Sequence, residues 1–144
     1  MPHRLRADTG SSAVEFALVV PMLVLLLVGI VEFGRAYNVQ NTLSAASREA
    51  VRAVALSSAA AIPLAVATTA VTSNTSTVSG PVAVAVTFWS GATASTATSC
   101  ASGLDVHVVL SYPFTLLTTE IPDTSGANDG IITMKAVGVM RCGG

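Results

Sequence analysis

The stretch TGSSAVEFALVVPMLVLLLVGIVEF, residues 9–33, decides the architecture of this chain. Residues 16–31 carry no charged side chain, and at about 1.5 Å per residue they extend roughly 24 Å as a helix. The apolar residues on either side bring the length close to the ~30 Å hydrocarbon core of a bilayer. We therefore predict a transmembrane helix over residues 11–34.

Polar features mark both ends of this helix and one position inside it. Glu15 and Glu32 stand near the two ends, where a carboxylate can reach water or become neutral, whereas a charge at the bilayer centre is costly. Arg35 follows Glu32 at a spacing that permits an ion pair across one helical turn. Pro21 removes one backbone hydrogen bond, so we expect a kink there.

A cleaved secretory signal is the alternative explanation of the apolar run, since Arg4 and Arg6 precede it. Such a signal needs a small-x-small cleavage site directly after its apolar core. Only Gly34-Arg35-Ala36 fits that rule, and it does so only at its outer positions. We therefore favour a retained anchor. Basic residues lie on both sides of the span, so charge alone does not set its orientation.

Composition limits the classes of function. The 144 residues suffice for one ordinary domain and an anchor. Charged residues make up 10% and the net charge is −1, so no strong field attracts a polyanion. The basic residues are scattered and form no stripe with aromatic residues, which argues against nucleic-acid binding. They are Arg4, Arg6, Arg35, Arg48, Arg52, Lys135 and Arg141.

Helical periodicity continues beyond the anchor. Residues 33–56 contain no proline and repeat apolar positions at three- and four-residue steps, which predicts that one helix runs on out of the membrane. The stripe consists of Val39, Leu43, Ala46, Ala50 and Val54. A short second helix is predicted to start near Pro63, with a loop at residues 74–80.

From Pro81 onward the apolar period changes to two, which is typical of β-strands. We predict strands at 82–88, 106–112 and 131–140, connected by loops at 90–103 and 121–130. The predicted fold class is α+β. A long transmembrane helix continues into an extracytoplasmic helix, and a small antiparallel sheet follows. The alanine-rich part of the extracytoplasmic helix covers the apolar face of this sheet.

Four regions follow from this pattern. They are a basic leader at 1–10, the transmembrane helix at 11–34, an extracytoplasmic helical region and linker at 35–80, and a small β-sheet region at 81–144.

The two cysteines, Cys100 and Cys142, lie far apart and have no neighbouring histidine ligands, so a zinc site is not expected. An even cysteine count beyond a membrane segment favours one disulfide in an oxidising compartment. Two buried free thiols are the alternative. A bond would tie the C-terminal end of the chain to the sheet.

No set of residues in the sequence demands an enzyme. His3 lies in the leader, and His107 alternates opposite an apolar strand face, where a solvated histidine is the simpler interpretation. Asp123 and Asp129 loosely suggest calcium, but the regular spacing and bidentate glutamate are missing. Neither a nucleophile motif nor a phosphate loop is present. We expect no catalytic residues, no metal and no cofactor.

The N-terminal residues carry a resemblance to a known family. A basic leader, Gly10, and Glu15 five residues later resemble a type IV prepilin. Over residues 10–55 the chain more closely resembles the TadE-like family of pseudopilins from tight-adherence pilus systems. The motifs are Ala13-Val14-Glu15-Phe16-Ala17, Pro21, Gly29, Glu32-Phe33-Gly34-Arg35 and Ala45–Ala50 with Arg48 and Glu49. The related TadF-like family shares this anchor, so both remain open.

The resemblance implies a processing site and an assembly contact. A prepilin peptidase would cleave after Gly10, and Ser11 would become the new N-terminus, which makes Glu15 the fifth mature residue. Glu15, followed by Phe16, would then pair with the freed amine of an adjacent subunit. The alternative for Glu15 is that it only reaches the lipid headgroups.

The resulting prediction is a structural protein, a TadE-like pseudopilin or minor pilin in tight-adherence pilus assembly or secretion. The implied partners are other pilin or pseudopilin subunits, the prepilin peptidase, the inner-membrane assembly platform and membrane lipid. The implied location is the bacterial inner membrane, as a single-pass protein with its C-terminal part extracytoplasmic, or a place within a pilus or at its tip. The alternative function is a permanently anchored extracytoplasmic binding domain.

Overall fold

The structure, a computed structural model, describes residues 9–57, 62–117 and 131–143. Its elements follow the order α1 (Thr9–Leu56), α2 (Pro63–Asn74), β1 (Ala83–Ser90), β2 (Thr93–Ser95), β3 (Asp105–Thr115) and β4 (Ile131–Arg141). The predicted α+β class is confirmed. Most of the predicted leader and the predicted loop at 121–130 lie outside the described residues.

The chain divides into two compact units, residues 1–35 and residues 36–144. In the first, the described residues belong to α1, and this helix continues past Pro21. The second contains the remainder of α1, the shorter helix and the sheet. Helix α2 begins with Pro63 at its first position, where proline lacks only an N–H that has no partner within a helix.

The sheet is antiparallel, with strand order β2-β1-β3-β4. Three of its strands were predicted, whereas β2 lies within a segment predicted to be a loop. Gly91 has a φ of 59°, a left-handed conformation that glycine adopts without strain. The chain therefore turns back at once, and Thr93 pairs with Ser90. The short, polar β2 carries no apolar alternation from which it could be predicted.

The core lies between one face of the sheet and the predicted stripe of α1. Along β3 every second side chain is buried, which gives the row Val106, Val108, Leu110, Tyr112 and Phe114. The stripe residues from Leu43 to Val54 are buried in the same cluster, and Val39 packs at its edge. Helix α2 adds Ala67 and Val71. The alanine-rich stripe therefore covers the sheet as predicted.

The backbone of α1 approaches β4 closely at Gly138. A Cβ atom placed on Gly138 would lie 2.9 Å from the carbonyl carbon of Ser47 and 3.1 Å from Val51 Cγ1, and it would collide with the Ser47 carbonyl oxygen. The obstacle is backbone, which cannot rotate away as a side chain can. Gly138 is therefore required for the distance at which helix and strand pack.

Two long-range hydrogen bonds reinforce this packing. The amide Nε2 of Gln40 donates to the carbonyl oxygen of Lys135 at 3.1 Å, which joins α1 to β4. The hydroxyl of Tyr112 donates to the carbonyl oxygen of Ser79 at 2.6 Å, which fixes the segment before β1 against β3. Both bonds satisfy backbone acceptors outside the regular ladders.

We expect Gly138→Ala to destabilise the second unit by about 1–3 kcal/mol, the usual cost of forcing an extra carbon into a packed interior. Chemical unfolding of the full chain in detergent, followed by circular dichroism, measures the change. Val139→Ala is the control because Val139 lies next along the strand and is 56% exposed. Equal stability of the two variants would show that the close approach is not a constraint.

Candidate functional site

The predicted processing site lies at the beginning of α1. The helix starts at Thr9, so Gly10 belongs to its first turn. No described atom lies within 4 Å of a Cβ built on Gly10, and its φ is not positive. Among the described residues, neither space nor backbone conformation therefore requires a glycine here.

Glu15 follows on the same helix, and its side chain is exposed. Among the described residues it has neither an ion pair nor a hydrogen-bond partner. Within the described part of the chain, Glu15 is thus a carboxylate without a partner.

The apolar side chains between these ends are exposed around the whole helix. Phe16 is 71% exposed and Met22 is 76% exposed. Among the described residues, α1 is the one helix long and apolar enough to cross a membrane, and none of its most apolar window is buried. A helix that is apolar all round is stable only inside an apolar environment. Lipid and the apolar helices of other subunits both provide one.

The predicted Glu32–Arg35 pair closes the apolar segment. Arg35 Nη1 lies 3.1 Å from Glu32 Oε1 and 3.3 Å from Oε2, so one nitrogen donates to both oxygens. The pair brings two opposite charges together one helical turn apart. It thereby lowers the cost of holding a carboxylate next to an apolar run.

His107 lies on the face of the sheet opposite the buried row, as predicted, and stacks on Trp89. The ring centroids are 5.3 Å apart, with 21° between the planes. Trp89 Nε1 in turn donates to Thr87 Oγ1 at 3.2 Å. No described residue donates to or accepts from the imidazole. The sequence did not predict this stack, because Trp89 and His107 belong to different strands whose register is visible only in the structure.

Cys100 and Cys142 are joined in a disulfide, with their Cα atoms 5.3 Å apart. Cys142 is buried, and its N–H donates to the carbonyl oxygen of Leu104 at 2.8 Å. The bond fastens the segment after β4 to the loop before β3. Within the described part of the chain, no three His, Cys, Asp or Glu residues gather as metal ligands.

The apolar helix with its closing ion pair is a candidate membrane span, and an α+β unit follows it in the chain. The family described as TadE-like protein matches residues 10–52. This match confirms the predicted resemblance over those residues, which are less than half of the chain. It implies a component related to the Tad pilus. Comparison with curated proteins and with solved structures gave no match.

Removing the disulfide is expected to cost about 4 kcal/mol of stability, the chain-entropy value for a loop of this length. The test compares chemical unfolding of the Cys100→Ser/Cys142→Ser variant with that of the oxidised parent. Both proteins are also unfolded in the presence of a reductant. The reductant should lower the stability of the parent and leave that of the variant unchanged. Equal stability of parent and variant under oxidising conditions would contradict this expectation.

Proposed function

We propose that this chain is a TadE-like pseudopilin or minor pilin, a structural component of tight-adherence pilus assembly or secretion. The observation that carries the proposal is the family match, which begins at Gly10 and includes Glu15. The fully exposed apolar helix supports it, because such a helix suits a bilayer before assembly and a bundle of other helices afterwards.

Maturation after Gly10 is the first step of the proposal. A prepilin peptidase would hydrolyse the peptide bond between Gly10 and Ser11 and would leave Ser11 with a free amine. Because Gly10 has no neighbours in the described chain, a peptidase pocket that excludes a side chain explains why glycine stands there.

The freed amine would provide a partner for Glu15, which has none among the described residues. Ser11 and Glu15 are four residues apart, so they lie on one helix face about 6 Å apart along the axis. A neighbouring subunit displaced by about one helical turn places its own amine level with Glu15. An unpaired charge becomes more costly the deeper it lies in an apolar layer, so this pairing would favour one register between subunits.

The second unit belongs on the extracytoplasmic side in this proposal. Its disulfide supports that placement, since such bonds persist in oxidising compartments and are rare in the cytoplasm. The proposed partners are other pilin or pseudopilin subunits, the prepilin peptidase, the inner-membrane assembly platform and lipid.

Gly10→Val should abolish N-terminal processing and leave the fold unchanged. Intact mass and N-terminal sequencing of the protein from its native membrane provide the measurement, with a start at Ser11 expected for the parent. Gly34→Val is the matched control, because a Cβ at this second helical glycine also meets no described atom. Normal processing of Gly10→Val would refute cleavage at this bond. A parent that retains its leader would favour the permanently anchored domain.

Glu15→Ala should remain in the membrane but lose its association with other pilin subunits, since the amine of a neighbour would then have no carboxylate. Crosslinking in native membranes followed by copurification measures the association. Glu49→Ala is the control, because Glu49 is an exposed carboxylate on the same helix, 4.0 Å from Arg52. Undiminished crosslinking of Glu15→Ala would assign Glu15 to the headgroups alone.

A further inference from the structure

Two exposed isoleucines begin β4 at one end of the second unit. Ile131 is 43% exposed and Ile132 is 53% exposed. Their side chains point to opposite faces of the sheet, as successive strand residues do. Neither face of β4 is therefore covered by the described residues at this point. Isolated exposed apolar residues are ordinary in soluble proteins, so their location decides whether they have a role.

The location follows from the way α1 and β4 run side by side within the second unit. Gln40 donates to the carbonyl of Lys135, and Ser47 lies against Gly138. The helix and the strand therefore run in the same direction. From Lys135 back to Ile131 the strand covers about 13 Å, whereas from Gln40 back to Ala36 the helix covers about 6 Å. The two isoleucines thus reach the end of the unit at which Ala36 lies.

Both segments adjoin the same core. Phe114 of the buried cluster is the cross-strand partner of Ile132, and Ala36 packs against that cluster. Ala36 is bonded directly to Arg35, the last residue of the first unit, residues 1–35. The end of the second unit at Ala36 therefore follows the apolar helix directly along the chain.

We propose that Ile131 and Ile132 insert into the interfacial layer of the bilayer that holds the anchor, and that they form a second lipid contact. This inference rests on the anchored location in the proposed function. Tyr37 lies at the same end of the unit and is 62% exposed, and tyrosine favours the headgroup region because its ring is amphipathic.

The charges of the strand fit a lipid surface. Strand β4 has no carboxylate, and its two charged residues, Lys135 and Arg141, are both basic. Lys135 lies four residues beyond Ile131 on the same face of the strand, so its ammonium group is available to lipid phosphates above the apolar insertion. Two contacts, the anchor and this strand end, would hold the second unit in a defined orientation on the membrane.

The test places a fluorophore at each position in the full-length protein. Ile131→Cys and Ile132→Cys each provide one reactive thiol, because Cys100 and Cys142 are bonded to each other. Each variant is labelled with a polarity-sensitive dye and reconstituted into vesicles of phosphatidylcholine and phosphatidylglycerol. Quenching is measured with spin-labelled lipid and, separately, with aqueous iodide. Intact mass verifies that the native disulfide has remained.

Val137→Cys is the matched control. Val137 lies on the same strand and is similarly exposed, at 56%, but it is about 20 Å from Ile131 along β4. We expect spin-labelled lipid to reduce the fluorescence at positions 131 and 132, with protection from iodide, and the reverse at position 137. Iodide quenching at 131 and 132 equal to that at 137 would overturn the proposal. Protection from both quenchers would also overturn it, in favour of burial against protein.

Leu25→Cys separates this inference from the proposed function on which it rests. A label at Leu25, in the middle of the apolar run, reports the anchor itself. Lipid quenching at Leu25 without lipid quenching at 131 and 132 would remove only the second contact. Absence of lipid quenching at Leu25 as well would show that the chain is not anchored, and both proposals would fall.

Discussion

The second unit depends on the close approach of a helix backbone to a strand at Gly138. With the Ser47 carbonyl occupying the space of a Cβ atom, the sheet and α1 can meet at a distance that larger residues would prevent. Dispersion contacts weaken over fractions of an ångström. The buried row of β3 and the small residues Ala46 and Ala50 therefore pack well only because β4 has no side chain at this point.

One helix carries two different hydrophobic patterns along its length. Residues 16–31 are apolar on every face, whereas the stripe from Leu43 to Val54 occupies one face and leaves Arg48 and Arg52 exposed. The first pattern is stable only in an apolar medium, and the second is that of a helix half covered by protein and half by water. The change of pattern near Glu32 and Arg35 thus marks a change of surroundings.

The sequence predicted the features that depend on local periodicity. Apolar residues recur at the helical period in the buried stripe of α1 and at a period of two in the three longer strands. The start of α2 was predicted from Pro63. The Glu32–Arg35 ion pair follows from spacing on one helix. Strand β2 was missed because its turn relies on the conformation of Gly91, and a polar strand has no alternation. Contacts between distant residues, such as Gln40 with Lys135 and Trp89 with His107, depend on strand register and on where the helix lies.

The roles of Gly10 and Glu15 could not be predicted from packing. Their spacing is readable from the sequence, yet neither residue contributes a contact to the described structure, so packing provides no information on their roles. Only the resemblance of residues 10–52 to the TadE-like family distinguishes them from other exposed positions.

The redox state of Cys100 and Cys142 depends on the compartment in which a molecule resides. Cys100 and Cys142 are the only cysteines in the sequence, so a molecule in a reducing compartment would carry two thiols, and a molecule in an oxidising compartment would carry none. Thiol-alkylating reagents would therefore separate the two populations without any added tag. The same bond makes the unmodified chain suitable for site-specific labelling, because no native thiol competes with an introduced one.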